Sequence, residues 1–202
     1  MADRRRDGVR GFDTIVVMTY YGAKDLAAAF RTVRDNTIKI AEDIGEEDYG
    51  FRATPENRSI GETLTHIANV PKMAYEIHGN RKLTTLVGFD FMGFFGPMIA
   101  DEKAAHSKAE IIAALASGRD QFGSWLEGLS DEFLGQSVTV MGPNMPTKTR
   151  FEMLLGVKEH EMHHRGQLML LERMVGVVPH LTRQMQTRIA QMQAQSQQTA
   201  QA

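Results

Sequence analysis

The chain has 202 residues, a formal charge of −2 and no cysteine. Its length fits one domain with a core of its own, and the mixed near-neutral charge argues against a nucleic-acid surface as the main function. The lack of cysteine excludes a disulfide framework and a cysteine nucleophile, so any bound metal must use nitrogen or oxygen ligands.

At the N-terminus only Asp3-Arg4-Arg5-Arg6 is locally basic, and the apolar run Ile15 to Met18 is too short for a signal-peptide core. Nothing later approaches a membrane span, so a soluble, cytoplasmic protein without membrane or nucleic-acid partners is expected. Leu26, Phe30, Val33, Thr37, Ile40 and Ile44 step by four and three, the spacing of one buried helical stripe. A turn-like stretch, Asp48 to Pro55, follows. Ser59 with Glu62 three residues on makes a capping-box pattern, after which Leu64 to Ile77 reads as a second helix with Pro71 as an irregularity. Gly79 to Pro97 is rich in glycine and phenylalanine without a steady period, and reads as a long connection packed over something or walling a pocket.

Helical spacing returns from Lys108 to Leu129 through Ile111, Leu115, Phe122, Trp125, Leu126 and Leu129. A short Val138-Thr139-Val140 run and the loop Gly142 to Pro146 lead to a long fourth helix, Thr149 to Val175, ended by Gly176 and Pro179. The tail beyond, rich in glutamine, is expected to be a frayed helix or disordered. The fold class is therefore all-α, a four-helix bundle with a long connection between helices two and three. The chain divides into an extension at 1–18, the bundle at 19–180 and a tail at 181–202.

The chemistry concentrates on histidines. At 100° per residue, Met153, Val157, His160, His164, Leu168 and Leu171 share one stripe of the fourth helix, with the two histidines one turn apart in its middle. On helix two, His66 shares a stripe with Val70, Met73 and Ile77, so a third imidazole faces the core. Three neutral imidazoles would bind zinc, nickel, iron or another first-row ion and leave coordination positions open. Each histidine could instead be a hydrogen-bonded core residue, but three unpartnered imidazoles in apolar stripes would cost a few kcal/mol, which a shared cation removes. His163 points about 100° from His164 and belongs to the edge of the stripe. Glu62 and Gln167 are nearby polar candidates, the first explained by its cap and the second by orienting His164 or by bonding within its own helix.

His160-Glu161-Met162-His163-His164 also matches the H-E-x-x-H signature of zinc peptidases, with Glu161 as would-be base. That reading fails downstream, because no acidic residue follows Glu172, and Gln167 and Leu170 stand where the extended motif needs glycine and histidine. A second apolar stripe on the same helix, Phe151, Leu155, Met162 and Met169, is available to a neighbouring helix or a dimer contact.

The run from His160 to Leu168, continued by Leu171 to Gly176 and Val178-Pro179, resembles the last helix of the DinB-like (DinB/YfiT) family, and Ser59 to Ala68 resembles that family's second helix. The resemblance covers roughly Thr19 to Val178. It implies a four-helix bundle, commonly a homodimer, with one divalent metal (zinc or nickel first, iron or manganese after them) held by His66, His160 and His164. It further implies a small-molecule substrate and activities such as thiol-dependent S-transfer, in which a low-molecular-weight thiol supplies the sulfur this chain lacks. Hydrolysis by a metal-activated water and a metal-binding protein without turnover are the alternatives.

Overall fold

The computed structural model describes residues 21–140 and 147–201. The Gly142 to Pro146 loop and the N-terminal extension fall outside the described residues. Four long helices carry the architecture: α1 (Ala23–Asp43), α2 (Ile60–Tyr75), α4 (Lys108–Glu127) and α6 (Arg150–Met174). α1 and α2 each pack against both α4 and α6, which places α1 diagonal to α2 across the bundle. The chain therefore crosses one end of the bundle between them, through a single 3₁₀ turn at Glu46–Asp48.

Each start is fixed locally. Ser59 Oγ accepts from Glu62 N at 3.1 Å while Ser59 N donates to Glu62 Oε2 at 2.9 Å, the reciprocal cap expected from the sequence. Ser107 with Glu110 caps α4 and Thr149 with Glu152 caps α6 in the same way. α2 runs through Pro71 and ends in a wider turn, Glu76–Asn80.

The expected stripes fill two apolar clusters. Leu26, Phe30, Phe122, Leu126, Leu154 and Val157 make one, and Ile40, Ile44, Ile60, Leu64, Leu115 and Leu168 belong to the other. Each fully buried side chain of this kind contributes about 1.5–3 kcal/mol. Between the clusters lies a polar layer in which Arg34, Thr37 and Glu161 are buried.

Two segments differ from the sequence reading. The connection between α2 and α4 contains a helix, α3 (Phe91–Lys103), capped by Asp90, whose side chain accepts from Gly93 N at 2.8 Å. Its apolar residues run all round the helix and Gly93, Gly96 and Pro97 interrupt them, so no period marks it. Its phenylalanines cluster with Phe89, which meets Phe91 edge to face as Phe94 meets Phe95, while Phe91 stacks on Phe95. The tail forms α7 (His180–Gln201), buried only at His180 in its first turn and exposed from Arg183 onward as far as its side chains are described.

After the one-turn helix α5 (Asp131–Leu134) and before α6 the chain makes a small clasp. β1 (Ser137–Val138) pairs antiparallel with β2 (Lys148–Thr149), and Thr139 bridges to Thr85 in the α2–α3 connection. The clasp delivers Thr149 as the cap of α6 and so sets the register of the histidine helix. Phe151, Leu155 and Met169 of the second α6 stripe pack against the bundle core, leaving Met162 exposed.

Candidate metal centre

α2 and α6 are neighbours, and their histidine stripes face each other between the two apolar clusters. His66 Nε2 lies 3.1 Å from His160 Nε2, which lies 3.2 Å from His164 Nε2. The ligand atoms of all three are within 4.8 Å of one another, a group that could hold a metal ion. Helical spacing turns each of the three toward the core, and the packing of α2 on α6 brings them together.

The surrounding hydrogen bonds fix which nitrogen faces the centre. Glu102 Oε1 lies 2.5 Å from His66 Nδ1, and Gln167 Oε1 lies 2.8 Å from His164 Nδ1. Both acceptors draw the ring proton to Nδ1, which leaves two Nε2 lone pairs directed at His160 Nε2. A single proton on His160 Nε2 can satisfy one of them at a time, whereas a cation satisfies all three. His160 Nδ1 is buried without a partner among the described residues. Burial first, then the charges of His164 and His66, pushes His160 down to about 4, and burial also lowers His164 against the opposing Gln167 bond. Both rings are therefore neutral at pH 7, the form a metal requires.

Gln167 bridges outward as well, its Nε2 donating to the exposed His163 at 3.2 Å. His163 thus lies outside the cluster, as the helical angle predicts. Glu62 also stands apart: it caps α2 and takes Arg52 through contacts of 2.5 and 2.6 Å, and the Arg52 bonds lead in holding it down at about 2.

Glu161 turns away from the histidines. It receives Arg34 Nε and Nη2 at 2.8 and 2.9 Å and Thr37 Oγ1 at 2.7 Å, and it is 2 % exposed. No base for peptide hydrolysis comes from this motif.

The residue that sequence reasoning missed is Glu102. It sits at the end of α3, within a segment without helical period, and 36 positions from the histidine it touches. Asp90 as a helix cap was the one local signal that the segment is a helix. Glu102 is in turn bonded by Arg58 Nε at 2.9 Å. Beside this chain opens a cleft of about 580 Å³, whose wall includes Arg58, Glu102, His164, Gln167, Ile99 and Leu170.

A four-helix bundle with three inward imidazoles on α2 and α6 defines a class of candidate metal-site bundle proteins. The DinB superfamily profile matches residues 29–168, more than half of the chain, and the chain belongs to that superfamily. Two solved structures from Bacillus subtilis share the fold. YfiT, described as a probable metal-dependent hydrolase with an unusual four-helix bundle topology, superposes with a TM-score of 0.62 at 14% identity, over 80% of this chain and 92% of its own. The DinB-like protein YjoA gives a TM-score of 0.55 at 18% identity, over 75% of this chain and 91% of its own. No curated protein matches the chain. Among the described residues no helix is long and apolar enough to cross a membrane.

Proposed function

We propose that the protein is a metal-dependent enzyme in which His66, His160 and His164 hold one divalent transition-metal ion and a small thiol is the nucleophile: the thiol gives its proton to solvent, its sulfur bonds to an electrophilic carbon, and that carbon releases its leaving group as an anion. The observation that carries the metal reading is the convergence of three Nε2 atoms, two of them with their ring protons held on the far nitrogen by Glu102 and Gln167. A bound divalent ion would supply positive charge that favours thiolate over thiol. The chain's own residues bind and orient: Glu102 holds His66, Gln167 holds His164, and the cleft admits a ligand of small-molecule size.

The state of the nearby carboxylates favours a thiol as the nucleophile, and that thiol must come from a small molecule because the chain contains no cysteine. The carboxylates nearest the cluster are engaged, Glu102 by His66 and Arg58 and Glu161 by Arg34, and a thiol whose pKa is about 8.5 needs less help to ionise than water does. Hydrolysis is the second reading, favoured by the likeness to YfiT.

The test is elemental analysis of protein purified without chelator or nickel resin, for wild type and for His66→Ala, His160→Ala and His164→Ala. About one ion per chain, lost in all three variants, supports the centre. Loaded protein is then given a small thiol with a chloro-nitrobenzene acceptor and, separately, a nitrophenyl ester without thiol. Thiol consumption above the His164→Ala rate supports transfer; ester cleavage alone moves the function to hydrolysis.

A further inference from the structure

Two cationic side chains line the cleft beside the histidines, and they differ in geometry: Lys103 is a point charge on a 60% exposed stem, Arg58 a planar fork held from one side. Lys103 is drawn toward Glu62, to which its Nζ donates at 3.2 Å, and its remaining donors present no fixed plane. Arg58 lines it too, pinned by Nε to Glu102 at 2.9 Å, and its Nη1 and Nη2 make no hydrogen bond among the described residues. Glu102 is 5% exposed and spends its other oxygen on His66, whereas the Arg58 side chain is 40% exposed. The guanidinium is thus held through Nε by a buried carboxylate, on a side chain that lines the cleft and is not itself buried. It also stands close enough to His160 and His164 for its charge to act on both. Ile99 and Leu170, exposed by 47% and 59%, add apolar surface to the same wall. Glu56 is the remaining acid of the wall and is itself exposed, so it does not neutralise Arg58 from within the bundle.

We infer that Arg58 is a specificity-determining residue that binds a carboxylate on the small thiol entering the cleft, with Ile99 and Leu170 against its apolar part. This deepens the metal-centre reading proposed above and rests on it. The choice of a carboxylate follows from the donor: two terminal N–H groups in a fixed plane match its two oxygens, which a lysine could not do. Pinning Nε beforehand removes part of the ordering cost of binding.

The test is calorimetric titration of zinc-loaded protein with mercaptoacetate and with the neutral mercaptoethanol, in wild type, Arg58→Gln and Arg58→Lys, with zinc content measured for each. Wild type is expected to bind mercaptoacetate roughly tenfold more tightly, consistent with one charge-assisted contact in a solvent-open cleft. Arg58→Gln, which keeps a donor for Glu102, should lose that preference and retain zinc, and Arg58→Lys should recover part of it. A preference that survives in Arg58→Gln would point to chelation by the metal and overturn the assignment, as would no preference in wild type. Loss of zinc in Arg58→Gln would make Arg58 a brace for Glu102 and overturn it equally. Wild type that holds no zinc would remove the metal centre itself, and this inference with it.

Discussion

Arg34 of α1 and Glu161 of α6 form a two-point ion pair, 2.8 and 2.9 Å long, inside the bundle and one residue from His160. Arg34 is 0% exposed and also donates to the carbonyls of Ile67 and Leu115, so one guanidinium joins α1, α2, α4 and α6. With Thr37 on Glu161, most of the polar capacity of the pair is met. The glutamate of the apparent peptidase motif is thereby a structural residue, on the face of α6 that meets α1.

Removing one partner should unfold the protein readily. Arg34→Ala or Glu161→Ala is expected to cost about 3–5 kcal/mol, because the other charge is left buried and unpaired. Replacing both by apolar residues of similar volume should cost much less. Urea unfolding of the two singles and the double measures this, and zinc content of Glu161→Gln should match wild type. A Glu161→Gln protein of normal stability that loses all turnover would restore the base role.

Glu102 should tune metal affinity without being a ligand. Glu102→Ala frees His66 to rotate and to change tautomer, and is expected to weaken zinc binding by roughly 10–100-fold. Competition with a chelating dye reads this directly. An unchanged affinity would mean that the neighbouring helix packing alone holds His66.

Metal-free protein should lose stability as pH falls. His160 and the buried His78 are both pushed down to about 4, in each case first by burial. Their unfolded pKa is about 6.5, so between 6.5 and 4 the unfolded chain takes up protons that the fold refuses. Each contributes stability that is fully present above about 6.5 and declines by up to about 3 kcal/mol as pH approaches 4. Denaturant midpoints of metal-free protein from pH 8 to 4 measure the slope, and His78→Gln should flatten part of it.

Glu172 should act in the opposite sense. It is 0% exposed, neither carboxylate oxygen has a hydrogen-bond partner among the described residues, and burial followed by Asp43 raises it to about 7. The fold keeps its proton where the unfolded chain has lost it, so its contribution is complete below about 4.5 and disappears as pH rises through 7. Glu172→Gln removes the penalty and is expected to stabilise the protein at pH 8 by up to about 3 kcal/mol, with little gain at pH 5. Unfolding at the two pH values decides it.

Metal should bind the fold and not the unfolded chain. Zinc at a hundredfold excess over its Kd is expected to add about 2.7 kcal/mol to unfolding, and a chelator to remove it. His66→Ala should abolish the difference. A wild type whose melting curve ignores zinc would leave three core histidines.

The long helices were legible because each carries a stripe of large apolar residues at a spacing only a helix brings to one side, and because Ser59 and Glu62 mark a start within four residues of chain. The histidine pair on α6 was legible for the same reason, since residues four apart share a face whatever the helix packs against. α3 was not, because apolar residues distributed all round a short helix leave no period. Arg34 was hidden too, as a charged residue beside an apolar stripe reads as solvent-facing until its partner is known.

By itself, then, the sequence determined four amphipathic helices, their caps and which face of α2 and α6 bears the imidazoles. Those properties depend on neighbours three and four residues away. The tertiary structure alone decided that α1 lies diagonal to α2, that Glu161 pairs with Arg34 while Glu102 rather than Glu62 reaches His66, and that Arg58 lines the cleft beside them. These relationships join residues from 36 to 127 positions apart, and distances of that kind are set by how helices pack, which no local pattern records.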